Sequence, residues 1–317
     1  MKALTTSPVT VDAAAAPQQQ RWLIHLKLLG MAVLWGASWP CGRVLAQSLP
    51  PLSAAAWRFG IASLFLVLWL HHAGGLKPLR ALTRRQWLGL VASGVVGVYA
   101  YALFFMLGLA HVPASRAALV VTTNPVITTL IAAWWLGERL NWKIALGMAF
   151  ATAGALTVMS HGDPLTLLSG VVGMGELLLL GCVLAWVGYT LIARWLLGGV
   201  DPLATTTVTA AIGMMLLLVS ALLVEGPGAF LSPLEASTTV WAALGFLAVA
   251  STVVAYAWYF EGVAVLGAGA ASGYISLVPV FGVLSATLWL NEPLDHAIVV
   301  GGLLAVGGMV IMNAARR

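Results

Sequence analysis

Apolar residues fall along this chain in ten long runs, separated by short polar segments. Each run is close to 20 residues, the length that a helix needs to cross a bilayer. We place the predicted spans at 24–46, 52–71, 87–108, 114–136, 142–160, 171–197, 203–224, 240–262, 267–290 and 297–314. Turn-forming pairs such as Pro50-Pro51 and Asp201-Pro202 lie between runs. The pattern predicts an all-α integral membrane protein with ten transmembrane helices.

The chain also contains one unit twice. Leu119–Glu138 and Gly273–Glu292 lie 154 residues apart and share seven of twenty positions. Near the start the offset is 151, as in Trp35 and Trp186. Spans 1–5 (residues 22–160) and 6–10 (residues 161–317) are therefore predicted to be two copies. Because five is odd, the second copy should enter the membrane upside down, as two inverted five-helix repeats.

Composition agrees with a lipid environment. The chain is 61% hydrophobic and 8% charged, whereas soluble domains are about 25% charged. The pI of about 9.5 does not indicate nucleic-acid binding, because most basic residues lie in short loops. Cys41 and Cys182 fall inside spans and are expected to pack as small apolar residues, with no metal site.

Loop charge predicts the orientation. With the N-terminus in the cytoplasm, twelve of the fifteen Lys and Arg residues fall on the inner side, as the positive-inside rule requires. Both termini are then cytoplasmic. Residues 1–21 carry no apolar core, so we expect a disordered cytoplasmic tail rather than a signal peptide.

Arg58 is the first candidate for substrate binding. It lies about two turns into the second span, where a charge costs roughly 2.5–3.5 kcal/mol. Its guanidinium could face a cavity and hold a carboxylate in a two-pronged hydrogen bond. Alternatively, it could extend to the outer interface or pair structurally. The second repeat has Thr209 at this position, so the two halves differ chemically.

Aromatic and polar residues near mid-membrane complete the predicted cavity, with core packing as the alternative for each. Asn124 could bind substrate or satisfy the carbonyl that the following proline frees. The predicted cavity set is Trp35, Ser38, Trp39, Arg58, Tyr99, Tyr101, Asn124, Trp186, Tyr189, Tyr256 and Tyr259.

Four further residues have predicted roles in movement or coupling. Pro125 and Pro279 are expected to act as symmetric hinges. Glu176 and Glu261 are candidates for proton coupling, with an interfacial carboxylate as the alternative. The duplicated Glu138 and Glu292 indicate an architectural role at helix ends.

The order of these motifs resembles the EamA repeat of the drug/metabolite transporter superfamily. The resemblance rests on LLGMAVLWGASWP, PLSAAAWRFG and a proline-centred fourth span ending LGE, with a weaker copy in the second half. It implies a ten-helix carrier of the bacterial inner membrane, with a cavity lined by the first four helices of each repeat. The fifth helices would lie to the side.

We therefore predict a secondary transporter that exports small metabolites by alternating access, with amino acids favoured as substrates. A multidrug or quaternary-amine exporter is the alternative of the same class. A membrane enzyme or sensor, or a purely structural protein, is the alternative from another class. Enzyme signatures such as a Walker loop or HExxH are missing. We expect no cofactor, with a small molecule and the lipid bilayer as partners, and the oligomeric state is not predicted.

Overall fold

The computed structural model describes residues 18–73, 79, 82–136, 140–163 and 173–315. Within these ranges the chain is helical, with no β-strand. Most of the predicted tail at 1–21, and Glu138, lie outside the described residues.

We number ten helical segments in chain order. Several contain a π-helical or 3₁₀ section, and two are interrupted. The segments are α1 (Gln18–Ser48), α2 (Pro51–His72), α3 (Arg84–His111), α4a (Ala114–Val120) and α4b (Asn124–Leu136), α5 (Trp142–Met159), α6 (Met174–Leu196), α7 (Pro202–Ser220), α8 (Thr238–Leu266), α9a (Ala268–Ile275) and α9b (Val278–Leu290), and α10 (His296–Ala315).

Local sequence sets several of these helix starts. The Thr83 hydroxyl accepts a hydrogen bond from the Gln86 backbone amide, and the Gln86 side-chain oxygen accepts one from the Thr83 backbone amide, forming a capping box. Pro51 begins α2, where its missing N–H costs nothing. Asp201 caps α7 through the Ala204 amide. These caps place the helix starts close to the predicted span boundaries.

The chain is a multi-pass membrane protein. Among the described residues, nine helices are long and apolar enough to cross a bilayer. They correspond to nine of the ten predicted spans. The remaining predicted span, 114–136, is helical but is broken by a 3₁₀ turn at Val121–Thr123.

The structure reproduces the 154-residue repeat element by element. Helices α4a and α9a begin at Ala114 and Ala268, and α4b and α9b begin at Asn124 and Val278. The π-helical sections of α3 and α8, Gly94–Ala100 and Phe246–Val254, both end at the same repeat position. Irregular sections therefore recur with the regular ones, which indicates that the unit was duplicated as a whole.

Contacts between helix ends define two ends of the bundle. We call the end where α1 begins the proximal end, and the end where α1 finishes and α2 begins the distal end. At the proximal end, Lys27 of α1 contacts Glu261 near the end of α8. At the distal end, Arg43 of α1 donates to the Leu109 carbonyl near the end of α3.

Helices α5 and α10, the last of each repeat, pack against each other through small residues. A Cβ atom at Gly154 would meet the backbone of Gly301 and Ala305. A Cβ at Gly308 would likewise meet the backbone of Gly147 and Ala151. The absence of side chains allows the two backbones to approach closely, as is common in membranes.

Candidate functional site

Arg58 lies inside the bundle. It is seven residues after Pro51, which at 1.5 Å per residue places it about 11 Å from the distal end. Arg58 is buried, with 8% of its surface exposed. Its Nε and Nη1 atoms have no hydrogen-bond partner among the described residues. Because buried guanidinium donors are normally satisfied, this arrangement indicates a place for a ligand acceptor.

The neighbours of Arg58 are aromatic rings and uncharged polar groups. Its Cζ lies 5.0 Å from the ring centroid of Phe59 and 5.4 Å from that of Phe105. Both distances are within the range of cation–π attraction. The ionisable side chains that act on it electrostatically are Tyr101, Tyr256, Cys41 and Cys182. None of these is a carboxylate.

One wall of the site joins α1 to α8. The Trp35 ring lies 5.2 Å from Tyr256, edge to face, and 5.6 Å from Tyr259. The Trp35 indole donates a 3.0 Å hydrogen bond to the Ser251 carbonyl, which fixes the ring. Ser38 donates to the Trp35 carbonyl within its own helix.

The facing wall joins α3 to α6. The Tyr101 ring lies 5.8 Å from Trp186, and Trp186 lies 5.8 Å from Tyr189. The Tyr101 hydroxyl lies beside the Cys182 thiol. Tyr189 lies beside Thr209, the residue that replaces Arg58 in the second repeat. The asymmetry noted in the sequence is therefore part of the same site.

Exposure changes with depth around Arg58. Trp39, Cys41 and Phe105 lie level with Arg58 or closer to the distal end, and all three are buried, at 1–4% exposure. Trp35 and Tyr256 lie closer to the proximal end and keep partly exposed surfaces. The side chains that pack on the distal side of Arg58 are therefore fully buried, whereas these two aromatic residues keep some exposed surface.

Some predicted cavity residues lie apart from this cluster. The Tyr99 hydroxyl is 3.0 Å from the Ser220 hydroxyl on α7, in a contact between helices. The Trp39 ring packs on the ring of Phe105, with 5.2 Å between the ring centroids. Asn124 begins α4b, and its buried Oδ1 has no hydrogen-bond partner among the described residues.

The predicted hinges and coupling residues lie at helix starts and ends. Pro125 and Pro279 each occupy the first turn of a second helical half, so the breaks precede them at 121–123 and 276–277. Glu176 is in the first turn of α6 and is half-buried. Both carboxylate oxygens of Glu261 lie 2.7 Å from Lys27 Nζ.

Two carboxylates close the distal end in the same manner. Glu292 accepts hydrogen bonds from the amides of Ala114 and Ser115, both at 2.8 Å, and from the Ser115 hydroxyl at 2.6 Å. It reaches α4a because Asn291, at φ 54°, turns the chain after α9b. A carboxylate at a helix N-terminus is favoured by the unpaired amides and the helix dipole.

Glu225 forms the matching contact with α2. It accepts from the amides of Leu52 and Ser53, both at 2.8 Å, and from the Ser53 hydroxyl at 2.6 Å. We call these two contacts the distal clasps: Glu292 with Ala114 and Ser115, and Glu225 with Leu52 and Ser53. Each clasp joins the second repeat to a helix start of the first.

Sequence reasoning missed Phe59, Phe105 and the role of Glu225. Phe105 follows Tyr101 by four residues, so a shared helix face could have indicated it. Phe59 is adjacent to Arg58 in the chain. Nothing in the sequence around Glu225 indicates a partner 172 residues away.

A separate apolar cavity of about 590 Å³ lies between α4b and α5, lined by residues from Val126 to Leu156. Its only polar side chain is that of Thr152, so it offers little to orient a polar ligand. In the part of the chain that the structure describes, no three His, Cys, Asp or Glu side chains group as a metal site.

Comparison with known proteins identifies relatives that are named as transporters or exporters. The chain is 28% identical over 294 residues to the uncharacterized transporter YyaM of Bacillus subtilis, covering 93% of this chain and 94% of that protein. It is also 28% identical over 282 residues to a probable terminal-alkyne amino-acid exporter of Streptantibioticus cattleyicolor, covering 89% and 90%.

A solved crystal structure shares the fold, with a TM-score of 0.62 and 21% identity over 94% of this chain and 99% of that one. The model of the EamA-like transporter family matches residues 22–160 and 173–314. These two segments correspond to the two structural repeats, and the named relatives are transporters rather than enzymes, as the sequence predicts. The chain therefore belongs to the EamA-like transporter family.

Proposed function

We propose that this protein is a secondary transporter that exports small amphipathic carboxylates, with amino acids as the first candidates, from the cytoplasm of a bacterial cell. The observation that carries the proposal is Arg58, a buried guanidinium that has, among the described residues, two unpartnered donors and no carboxylate beside it. A substrate carboxylate would accept a charge-assisted hydrogen bond from one of these donors, which lie on different edges of the guanidinium.

The aromatic walls supply the second half of recognition. Tyr101 and Trp186 on one side, and Trp35 and Tyr256 on the other, offer ring faces to an apolar side chain. The relative named a probable terminal-alkyne amino-acid exporter supports a substrate of this size and chemistry.

Alternating access is the proposed mechanism. The duplication supports two inverted five-helix repeats, whose first four helices would rock against each other around the site. The distal clasps and the buried layer around Trp39 and Phe105 support a state closed at the distal end. With the proximal end in the cytoplasm, this state would receive substrate from inside the cell.

Multidrug or quaternary-amine export is the second candidate. The aromatic walls favour it, because ring faces attract organic cations. The unpaired charge of Arg58 opposes it, because a second cation in the same cavity would be repelled.

Uptake into proteoliposomes tests the proposal. A panel of radiolabelled amino acids is measured against an Arg58→Ala variant, with Arg58→Lys as the charge-preserving control and thermal stability as the folding control. We expect saturable uptake that Arg58→Ala abolishes and Arg58→Lys partly retains. Transport of organic cations that survives Arg58→Ala, without carboxylate transport by the parent protein, would favour the second candidate.

A further inference from the structure

We infer that the site prefers carboxylates whose amino group is masked or absent, such as N-acylated amino acids and 2-oxo acids with an apolar side chain, over free zwitterionic amino acids. The inference rests on the proposed function and refines its substrate class. It follows from the inventory of charges around Arg58.

Among the described residues, the groups around Arg58 include no anion, so the guanidinium is the one charge. Besides the two phenylalanine rings, the side chains near Arg58 include two tyrosines and two cysteines as ionisable groups. Phenols and thiols in apolar surroundings are uncharged at neutral pH. Two ion pairs of the described residues, Lys27–Glu261 and Arg116–Asp295, lie near helix ends. Among the described residues, Arg58 is therefore the one charged group of the site.

The acidic residues of the described chain are occupied elsewhere or lie at helix ends. Glu225 and Glu292 form the distal clasps. Glu261 pairs with Lys27 near the proximal end. Asp201 caps α7. Glu176 lies in the first turn of α6. None of these groups is available to neutralise a substrate ammonium beside Arg58.

A bound carboxylate alone neutralises the site. It accepts a hydrogen bond from one of the unpartnered guanidinium donors, and its apolar remainder can rest on the rings of Phe105 and Tyr101. A free amino acid brings an additional ammonium group, which must leave water for a place close to the guanidinium. Ring faces compensate such a loss only in part.

Asn124 does not change this preference. Its Oδ1 is a buried amide acceptor that lacks a partner among the described residues, and it could accept a hydrogen bond from a substrate nitrogen. An amide oxygen is neutral, however. It accepts a hydrogen bond from the N–H of an acylated amino group just as it does from an ammonium group. It therefore does not supply the missing negative charge to either ligand.

The experiment compares four related compounds in proteoliposomes: phenylalanine, N-acetylphenylalanine, phenylpyruvate and phenylalaninamide. They share one side chain and differ in the two charges. We expect N-acetylphenylalanine and phenylpyruvate to exceed phenylalanine in kcat/KM by about tenfold, since an uncompensated charge is costly to desolvate. Phenylalaninamide, a cation without a carboxylate, should not be transported. Arg58→Ala should abolish uptake of all three carboxylates.

The outcomes separate the two proposals. Arg58-dependent uptake in which phenylalanine equals or exceeds the masked compounds, or falls short by less than about threefold, overturns this inference and leaves the proposed function standing. No Arg58-dependent uptake of any carboxylate, by protein of normal thermal stability, overturns the proposed function and this inference with it. A preference above threefold supports both.

Discussion

Glu292 accepts a 2.6 Å hydrogen bond from the Ser115 hydroxyl and so ties the chain after α9b to the start of α4a. Glu225 and Ser53 repeat the contact at the same distance, between the chain that follows α7 and the start of α2. Both serines lie two residues after a proline that precedes or begins the helix. The two contacts therefore form one recurring device that holds the repeats together at the distal end.

Replacing Glu292 by Gln should loosen the distal end. The amide keeps the shape and one acceptor but loses the charge that the helix N-terminus favours, a loss of about 1–2 kcal/mol. In a Cys182→Ser background, Cys41 is the sole thiol and is 1% exposed. Maleimide should label it faster in Glu292→Gln than in the parent.

Glu235→Gln is the matched control, because Glu235 is an exposed carboxylate of a 3₁₀ turn near the same end. It should label at the parent rate. Equal labelling of the Glu292→Gln and Glu235→Gln proteins would show that the clasp does not hold the end closed.

Gly154→Ala should destabilise the contact between α5 and α10. The added methyl group would meet the backbone of Gly301 and Ala305, so the helices would have to separate, at about 1–3 kcal/mol. Gly307→Ala on α10 is the control, because its Cβ would have no neighbour within 4 Å. Thermal unfolding in detergent should show a lower midpoint for the first variant alone. A similar loss in both would point to helix flexibility rather than close packing.

Asp295→Asn should lower stability slightly, and only near neutral pH. Burial alone would raise the pKa of the Asp295 carboxyl, but the Ile298 amide and Arg116 hold that pKa below its ordinary 3.8. A lowered pKa stabilises the fold above this value, and the gain is lost as the pH falls below it. The side chain is 40% exposed, so the pair should contribute less than about 1 kcal/mol.

The variant retains the helix cap, because Asn141 caps α5 at the corresponding repeat position. Comparing thermal midpoints from pH 7 down to pH 3 should therefore show a small difference that closes at acid pH. A difference of the same size at both ends would assign the effect to something other than the ion pair with Arg116.

The helices were predictable because hydrophobic run length reports directly on bilayer thickness. The duplication also located the break before Pro125 and its copy before Pro279. The π-helical sections left no sequence signal, because they depend on how neighbouring helices pack. The clasps of Glu225 and Glu292 were also hidden, since each joins residues more than 170 positions apart.

The sequence predicted which residues make up the candidate site, but not which neighbouring helix each side chain contacts. Arg58 and most of the aromatic residues could be identified by their depth in apolar runs. Tyr99 and Tyr101 could not be separated, because a π-helical section ends at Ala100 and changes the angle between them. In the structure the two tyrosines contact different helices: Tyr99 contacts Ser220 of α7, whereas Tyr101 contacts Trp186 of α6.

This separation provides a matched pair of variants. Tyr101→Leu removes the ring beside Trp186 and the hydroxyl beside Cys182, so KM for aromatic carboxylates should rise by about tenfold, or 1.4 kcal/mol. Tyr99→Leu removes the hydrogen bond to Ser220 and should lower thermal stability by about 1 kcal/mol while leaving KM unchanged. Uptake kinetics and thermal unfolding measured on both variants distinguish the roles. An equal rise in KM for the two would mean that the ring of Tyr101 does not contact substrate and that the α3 wall acts only through packing.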